Sequence, residues 1–487
     1  MIANHANPSA ASAGPEWASR VLLSALLWCI VALPVLARIM YVAPLPFPLD
    51  VIANTFVVTR NDALSRAILI VFFTLTAAAM AYAVWRSGPA KAGHAIALAG
   101  ALALAGSGAL QYIAHFDTAS IGLRGFHFYF GLWGGLLIAL FWRLHPALLR
   151  VNLLVSWALL SVVCVLFSGL DLGYAETFRF QGVKRWAGVF VNPNAYGAFA
   201  ALSVVFAWHG TMSFFRKGAT TAGLRELGAS LCWALLLGIN LAGLVRSYSR
   251  SAWIGAALGL VIITLYRLVF RREDRAEVPA SAGRHASRNG RARAVHAVVM
   301  AAALAGVVSI LTDASHFQLI ARRSKTLVDS NDRSITNRAL TWRDAVPMVW
   351  QRELGWGWEQ WDAAFEKEFM RSGQTHGGSV ILNDHLSVGI IFGWPFALCW
   401  GLTVILSLFE QAIRRDGVCV ALLLCLLPVS VANNVIFDPS LALIWWAALL
   451  ARDPAALAAY NLRLPVPVGV LFRQMLTPRR EAAHNPM

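Results

Sequence analysis

Apolar residues in this chain come in long blocks separated by short polar breaks, not in the two-residue alternation of half-buried strands. The blocks lie near 21–37, 67–85, 94–114, 126–142, 151–170, 194–209, 228–245, 252–270, 296–312, 386–409, 417–433 and 438–451. A helix that crosses a bilayer needs about 20 mostly apolar residues. The pattern therefore predicts an all-α polytopic membrane protein of about 12 transmembrane helices. The first block reads as a span rather than a cleavable leader, because no small-residue cleavage site precedes a soluble domain.

The longest break runs from 313 to 385 and is rich in Trp, Arg and acidic residues. It carries its own helical signals. Ser334 is placed to cap a helix through Trp342, Val346 and Val349, stopped by Gly355 and Gly357. Farther on, Trp358, Trp361, Phe365 and Phe369 recur at three- and four-residue spacing and predict one apolar face, with Glu359, Asp362, Glu366 and Lys367 on the other. That face predicts packing on the membrane body or residence at headgroup level; a platform for stacking sugars is the alternative. The expected organisation is spans one to nine over 1–312, a large helical loop over 313–385, spans ten to twelve over 386–451, and a tail over 452–487.

Composition sharpens this picture. Of 487 residues, 58% are hydrophobic and 14% charged, against about 25% charged in soluble domains. The net charge of +16 suggests nucleic acid only until it is mapped. With the N-terminus inside, Arg86, Lys91, Arg143, Arg150, the basic stretch 267–293 and the tail all fall on the cytoplasmic side, where Lys and Arg are expected in excess. The charge is thus a topology signal with anionic membrane lipid as its partner, and no nucleic acid is implied. Both termini are then cytoplasmic, with the 313–385 loop outside. The six cysteines all lie in apolar blocks and predict packing, not disulfides.

Three cationic clusters fall at outer helix ends. The first is Arg179, Lys184 and Arg185 ahead of Asn192-Pro193-Asn194. The second spans 246–251, with Arg246, Ser249 and Arg250. The third holds Arg338 and Arg343 ahead of Gly355-Trp356-Gly357. Arginine presents a planar fork of donors that matches phosphate oxygens, so Arg185, Arg250, Arg338 and Arg343 are candidate ligands for a membrane-proximal phosphate or diphosphate. Two loop histidines, His376 and His385, are candidate proton acceptors for a hydroxyl nucleophile, with Asn383 and Asp384 adjoining the second. No metal-ligand spacing is visible, and no metal or cofactor is expected.

In order, Arg185-x-x-Gly188-x-Phe190-x-Asn192-Pro193-Asn194, Ser249-Arg250, Arg338-x-x-x-Trp342, Gly355-x-Gly357 and Asn383-Asp384-His385-Leu386 ahead of Gly393 resemble the bacterial O-antigen ligase and polymerase superfamily. The resemblance covers roughly residues 150 to 410. It implies a metal-independent glycosyltransferase of the inner membrane, with its active site facing the periplasm. The implied donor is a glycan on undecaprenyl diphosphate, and in the ligase branch the acceptor is the lipid A–core oligosaccharide. It implies a phosphate role for Arg185 and Arg250, a weaker one for Arg338 and Arg343, and site positions for Asn192, Asn194 and Ser249. One departure stands out. The family commonly opens its last motif with His-Asn about eleven residues before a Gly, and counting back from Gly393 gives Leu382-Asn383. His385 lies three positions late and His376 six early, so either imidazole remains a candidate base. The other readings are a polymerase of the same superfamily and, from another class, a lipid-linked sugar or solute transporter. Ionisable residues at mid-span and internal repeats would mark transport, and neither is evident.

Overall fold

In the computed structural model, the described residues are 13–42, 46–51, short pieces between 63 and 78, 122–141, 146–170, 179–180, 183–190, 192–217, 224–270, 301, 305, 314–325, 333–358, 360–369, 381–413 and 417–450. The spans expected at 94–114 and 296–312 are thereby almost wholly outside them, as are most of 67–85, the basic linker 273–295, the tail from 452, and His376.

The apolar blocks fold as helices: α1 (Ala13–Val42), α2 (Gly122–Phe141), α3 (Pro146–Gly169), α4 (Pro193–Lys217), α5 (Leu224–Arg246) and α6 (Arg250–Phe270). The loop sequence supplies α7 (Ala314–Lys325), α8 (Arg333–Gln351) and α9 (Gln360–Ala364), the last running into a π-helical turn, Phe365–Phe369. The chain returns as α10 (Asp384–Phe392), α11 (Trp394–Ile413), α12 (Gly417–Ala432) and α13 (Pro439–Leu450). The sheet described is a two-residue hairpin, β1 (Arg179–Phe180) with β2 (Val183–Lys184), Arg179 opposite Lys184.

Small residues let the central helices approach. Gly131 and Gly135 of α2 lie against Ala442 and Trp446 of α13, where a Cβ would have no room. Gly255 and Gly259 of α6 lie in the same way against Cys425 and the Ala421 carbonyl of α12. Both are Gly-x-x-x-Gly faces, the spacing that brings helix backbones together where apolar burial drives no association.

The outward faces are apolar too. Val155, Leu159, Val162 and Leu166 on α3 are exposed, as are Ile254, Leu258, Val261 and Leu265 on α6 and Leu398, Leu402, Ile405 and Phe409 on α11. Each row repeats the 4-3-4 spacing of one helix side. A helix apolar on both its packed and its outer faces suits a hydrocarbon surround. Among the described residues one helix, over Ser19–Leu36, is long and apolar enough by itself to cross a membrane; α3, α5, α11, α12 and α13 contribute shorter apolar segments.

Sequence patterning merged α10 and α11 into one span, but the structure breaks it at Gly393, which has φ +88. The break has a partner. Trp356 N–H donates to the Ile390 carbonyl (2.9 Å) and Gly357 N–H to the Ile391 carbonyl (3.1 Å), so the loop backbone satisfies α10's last carbonyls. Trp358 then packs against Phe128, Phe392 and Phe437. Trp361, buried, lies under the Arg124 guanidinium of α2. The loop is thus seated on one end of the bundle, the end where α4, α6, α10 and α13 begin.

Candidate active site

The approach to α4 is built by its caps. Asn192 accepts from the backbone N–H groups of Asn194 and Ala195 (both 2.9 Å), with Pro193 at the first helical position. Upstream, Gly188 has φ +57 and its missing Cβ leaves room for Cys164. Its N–H donates to the Ser168 hydroxyl of α3 (3.0 Å), and Trp186 N–H to the Arg246 carbonyl (3.0 Å). These contacts hold Arg185 at the junction of three helices.

Arg185 is pinned twice. Its Nε donates to the Ser247 carbonyl (2.7 Å) and its Nη2 to the Asn194 side-chain oxygen (2.9 Å). A guanidinium carries five N–H donors, so three stay uncommitted among the described residues. Asn194, anticipated as a site residue, orients the arginine; Asn192 holds the helix start that carries Asn194.

The turn 247–249 is equally determined. The Ser247 hydroxyl donates to the Leu244 carbonyl (2.7 Å) and accepts from Ser249 N–H (3.2 Å), while Tyr248 adopts φ +50. Ser249 caps α6, its carbonyl accepting from Trp253 N–H (3.0 Å). Arg250 is then the first residue of α6, where the helix dipole disfavours a cation by about 0.3–1 kcal/mol. A cation held at a positive helix end makes sense when an anion is meant to arrive there.

The charges converge. Burial first, and then the positive charges of Arg323, Arg338 and Arg250, pull the Arg185 guanidinium down to about 9. Arg185, Arg250 and Arg338, far apart in sequence, thus share one electrostatic environment. Arg323, in the last turn of α7, joins them. Sequence reading missed it because cations at a helix C-terminus are the ordinary dipole-favoured arrangement. Arg343 behaves differently. It lies five residues from Arg338, about 140° around α8. Its side chain is half exposed and paired with buried Asp344 at 3.0 Å.

The His385 region is closed on itself. Trp400 Nε1 donates to His385 Nδ1 (2.9 Å). An indole N–H can only donate, so Nδ1 carries a lone pair, and the neutral ring donates from Nε2 to the Ser430 hydroxyl (2.9 Å). Ser430 passes its own proton to the Leu427 carbonyl (2.9 Å). The imidazole packs against Trp400 and Trp445. Both ring nitrogens are therefore engaged by side chains of the bundle. Asn383 caps α10 by accepting from Leu386 N–H (3.0 Å). Asp384, fully buried, accepts from the N–H groups of Val435 (2.8 Å) and Ile436 (3.1 Å), tying α10 to the turn before α13. From that turn, Asn433 reaches the Ser251 hydroxyl beside Arg250 (3.0 Å).

Among the described residues no group of three or more His, Cys, Asp or Glu side chains is arranged to hold a metal ion. The opposite end of α6 is also cationic: Arg267, 17 residues or about 25 Å from Arg250, donates to the His209 carbonyl of α4 (2.9 Å).

No curated protein matches the chain. Residues 233–401 match the family model described as O-antigen ligase. The match runs from within α5 into α11, and takes in the 247–249 turn, Arg250, Arg323, Arg338 and the Gly355–Gly393 junction; Arg185 and its caps lie upstream of it. Over this segment the chain is similar to the O-antigen ligase family, which supports a kinship with the O-antigen ligase and polymerase superfamily.

Proposed function

We propose that this protein is an O-antigen ligase: a multi-pass inner-membrane glycosyltransferase of about twelve spans that moves a glycan from undecaprenyl diphosphate to a lipid A–core acceptor on the periplasmic face, without a metal. The observation that carries the reading is the set of uncommitted Arg185 donors within the field of Arg250, Arg338 and Arg323. Crowded cations repel one another and favour a dianionic or trianionic ligand. A diphosphate leaving group gains negative charge as the glycosidic bond breaks, so donors fixed in advance stabilise the transition state more than the ground state. Planar guanidinium forks suit phosphate oxygens on two phosphorus centres.

In the proposed step the acceptor hydroxyl attacks the anomeric carbon as the bond to the diphosphate oxygen breaks. The electron pair leaves on undecaprenyl diphosphate, held by Arg185 and Arg250 with Arg338 and Arg323 behind them. The configuration inverts. His376 is the residue assigned to take the hydroxyl proton, because His385 has both nitrogens engaged inside the bundle.

The test is transfer in vitro with purified full-length protein, lipid-linked donor and lipid A–core, with chelator present. Product of inverted configuration, abolished by Arg185→Ala and Arg250→Ala in protein that still inserts, supports the reading. Retained configuration, or a requirement for added metal, contradicts it. A null strain separates ligase from polymerase: long polymer left on the carrier marks the ligase, single-repeat chains on core the polymerase.

A further inference from the structure

Helix α8 has two faces, and the transferase reading uses only one. Ala345, Met348 and Val349 pack inward, with Val349 close to Gly389 of α10. The opposite side carries Ile335, Ala339, Val346 and Trp350, at spacings that keep them on one side of a helix, followed by Leu354. All five are exposed, Trp350 by 60%. Arg343 lies on this side but is committed to Asp344.

This surface is not isolated. Trp350 stacks on Trp394, with ring centroids 6.2 Å apart and planes 25° apart. Trp394 opens α11, whose exposed row Leu398, Leu402, Ile405 and Phe409 runs on from it. One apolar surface therefore extends from the outer side of a bundle helix, past two stacked indoles, onto the loop helix. Tryptophan prefers the depth where headgroups meet acyl chains, and a helix with an apolar outer face lies flat at that depth.

We infer that the outer face of α8 is a lipid-binding surface, lying in the headgroup boundary of the phospholipid leaflet that surrounds α11. The helix is then clamped between lipid on one side and α10 on the other. Arg338 is carried on this same helix, so lipid contact fixes the depth of one member of the arginine cluster at the height of membrane phosphates. The inference rests on membrane residence and not on glycan transfer.

The experiment places the photoreactive residue p-benzoylphenylalanine at Val346, and in a second protein at Leu402, in full-length chain reconstituted in phosphatidylethanolamine and phosphatidylglycerol nanodiscs. After irradiation, intact mass reports what each probe has captured. A phospholipid adduct at 346, at a yield within about threefold of that at 402, is the expected result. Lipid capture at 402 with none at 346 overturns the inference, as does crosslinking of position 346 to a second copy of the chain. Because the readout is a lipid adduct, it stands or falls separately from any loss of transfer activity.

Discussion

Arg185 and His385 both sit at the end of the bundle that carries the loop, and their hydrogen-bond balances are opposite. Arg185 spends two donors on the scaffold and, among the described residues, keeps three. His385 spends both nitrogens, in a chain that runs from Trp400 through Ser430 to a carbonyl with every proton placed. A side chain that is pinned yet unsaturated is poised for a ligand; one that is pinned and saturated holds its neighbours together. Residue type alone made both look chemical, and the count of donors and acceptors is the ground on which we propose different roles for them.

The contrast breaks most readily at Arg185. Arg185→Ala is expected to lower transfer by about 10²–10³-fold, the scale of losing one donor aimed at developing charge. Arg185→Lys keeps the charge but loses the fork, and should recover only part of that loss. Single-turnover rates on folded, inserted protein check both. If Arg185→Ala transfers normally, the three spare donors have no partner in the reaction. A smaller loss, about tenfold, is expected for Arg338→Ala, which removes a neighbouring charge rather than the pinned fork; the same assay reads it.

On the other side of the contrast, His385→Phe should leave the transfer rate per folded molecule within a few-fold of wild type. It strands the Trp400 N–H in an apolar setting, at a cost of about 1–3 kcal/mol that a lowered melting temperature would show. A rate loss of 10²-fold with unchanged melting would instead mark His385 as a proton acceptor.

The crowding at Arg185 sets a pH window. Its guanidinium is held near 9, first by burial and then by Arg323, Arg338 and Arg250. An anion binds best while the group is protonated and raises its proton affinity in return. Pyrophosphate at about 100 times its Kd is therefore expected to stabilise the protein by about 2.7 kcal/mol below that pH, read as a thermal shift. The shift should shrink as pH rises through about 9. In Arg185→Gln the residual shift should not change over that range; an unaltered wild-type shift at pH 10 would remove Arg185 from the anion site. The smallest effect belongs to Arg343→Lys, where the Asp344 pair can persist. There, stability should move by less than about 0.5 kcal/mol, measured by the same melting assay.

Much of this was legible in the sequence. The apolar blocks read from near 194 and near 252 place the starts of α4 and α6 to within two residues. The loop helix begins at Arg333, one residue before the anticipated cap at Ser334, and ends at Gln351, four residues before the first of the positive-φ glycines at 355 and 357 expected to stop it. Periodicity reads such features because they depend on a few neighbouring residues. What it could not read depends on distant ones. The fate of His385 is decided by Trp400, Ser430 and Trp445, on three different helices. Arg343 is set apart from Arg338 by a neighbouring carboxylate and a rotation about α8. The break at Gly393 is completed by loop backbone more than thirty residues upstream, so an unbroken apolar block reads as one span.

The claim on which the account turns is that the Arg185 cluster holds a lipid diphosphate. Its most direct test is equilibrium binding of undecaprenyl diphosphate to the full-length protein in nanodiscs, comparing wild type with Arg185→Ala and Arg250→Ala. A Kd weakened by about 10²-fold in each variant, with helix content unchanged, is the predicted result. Equal affinity in all three proteins would contradict it.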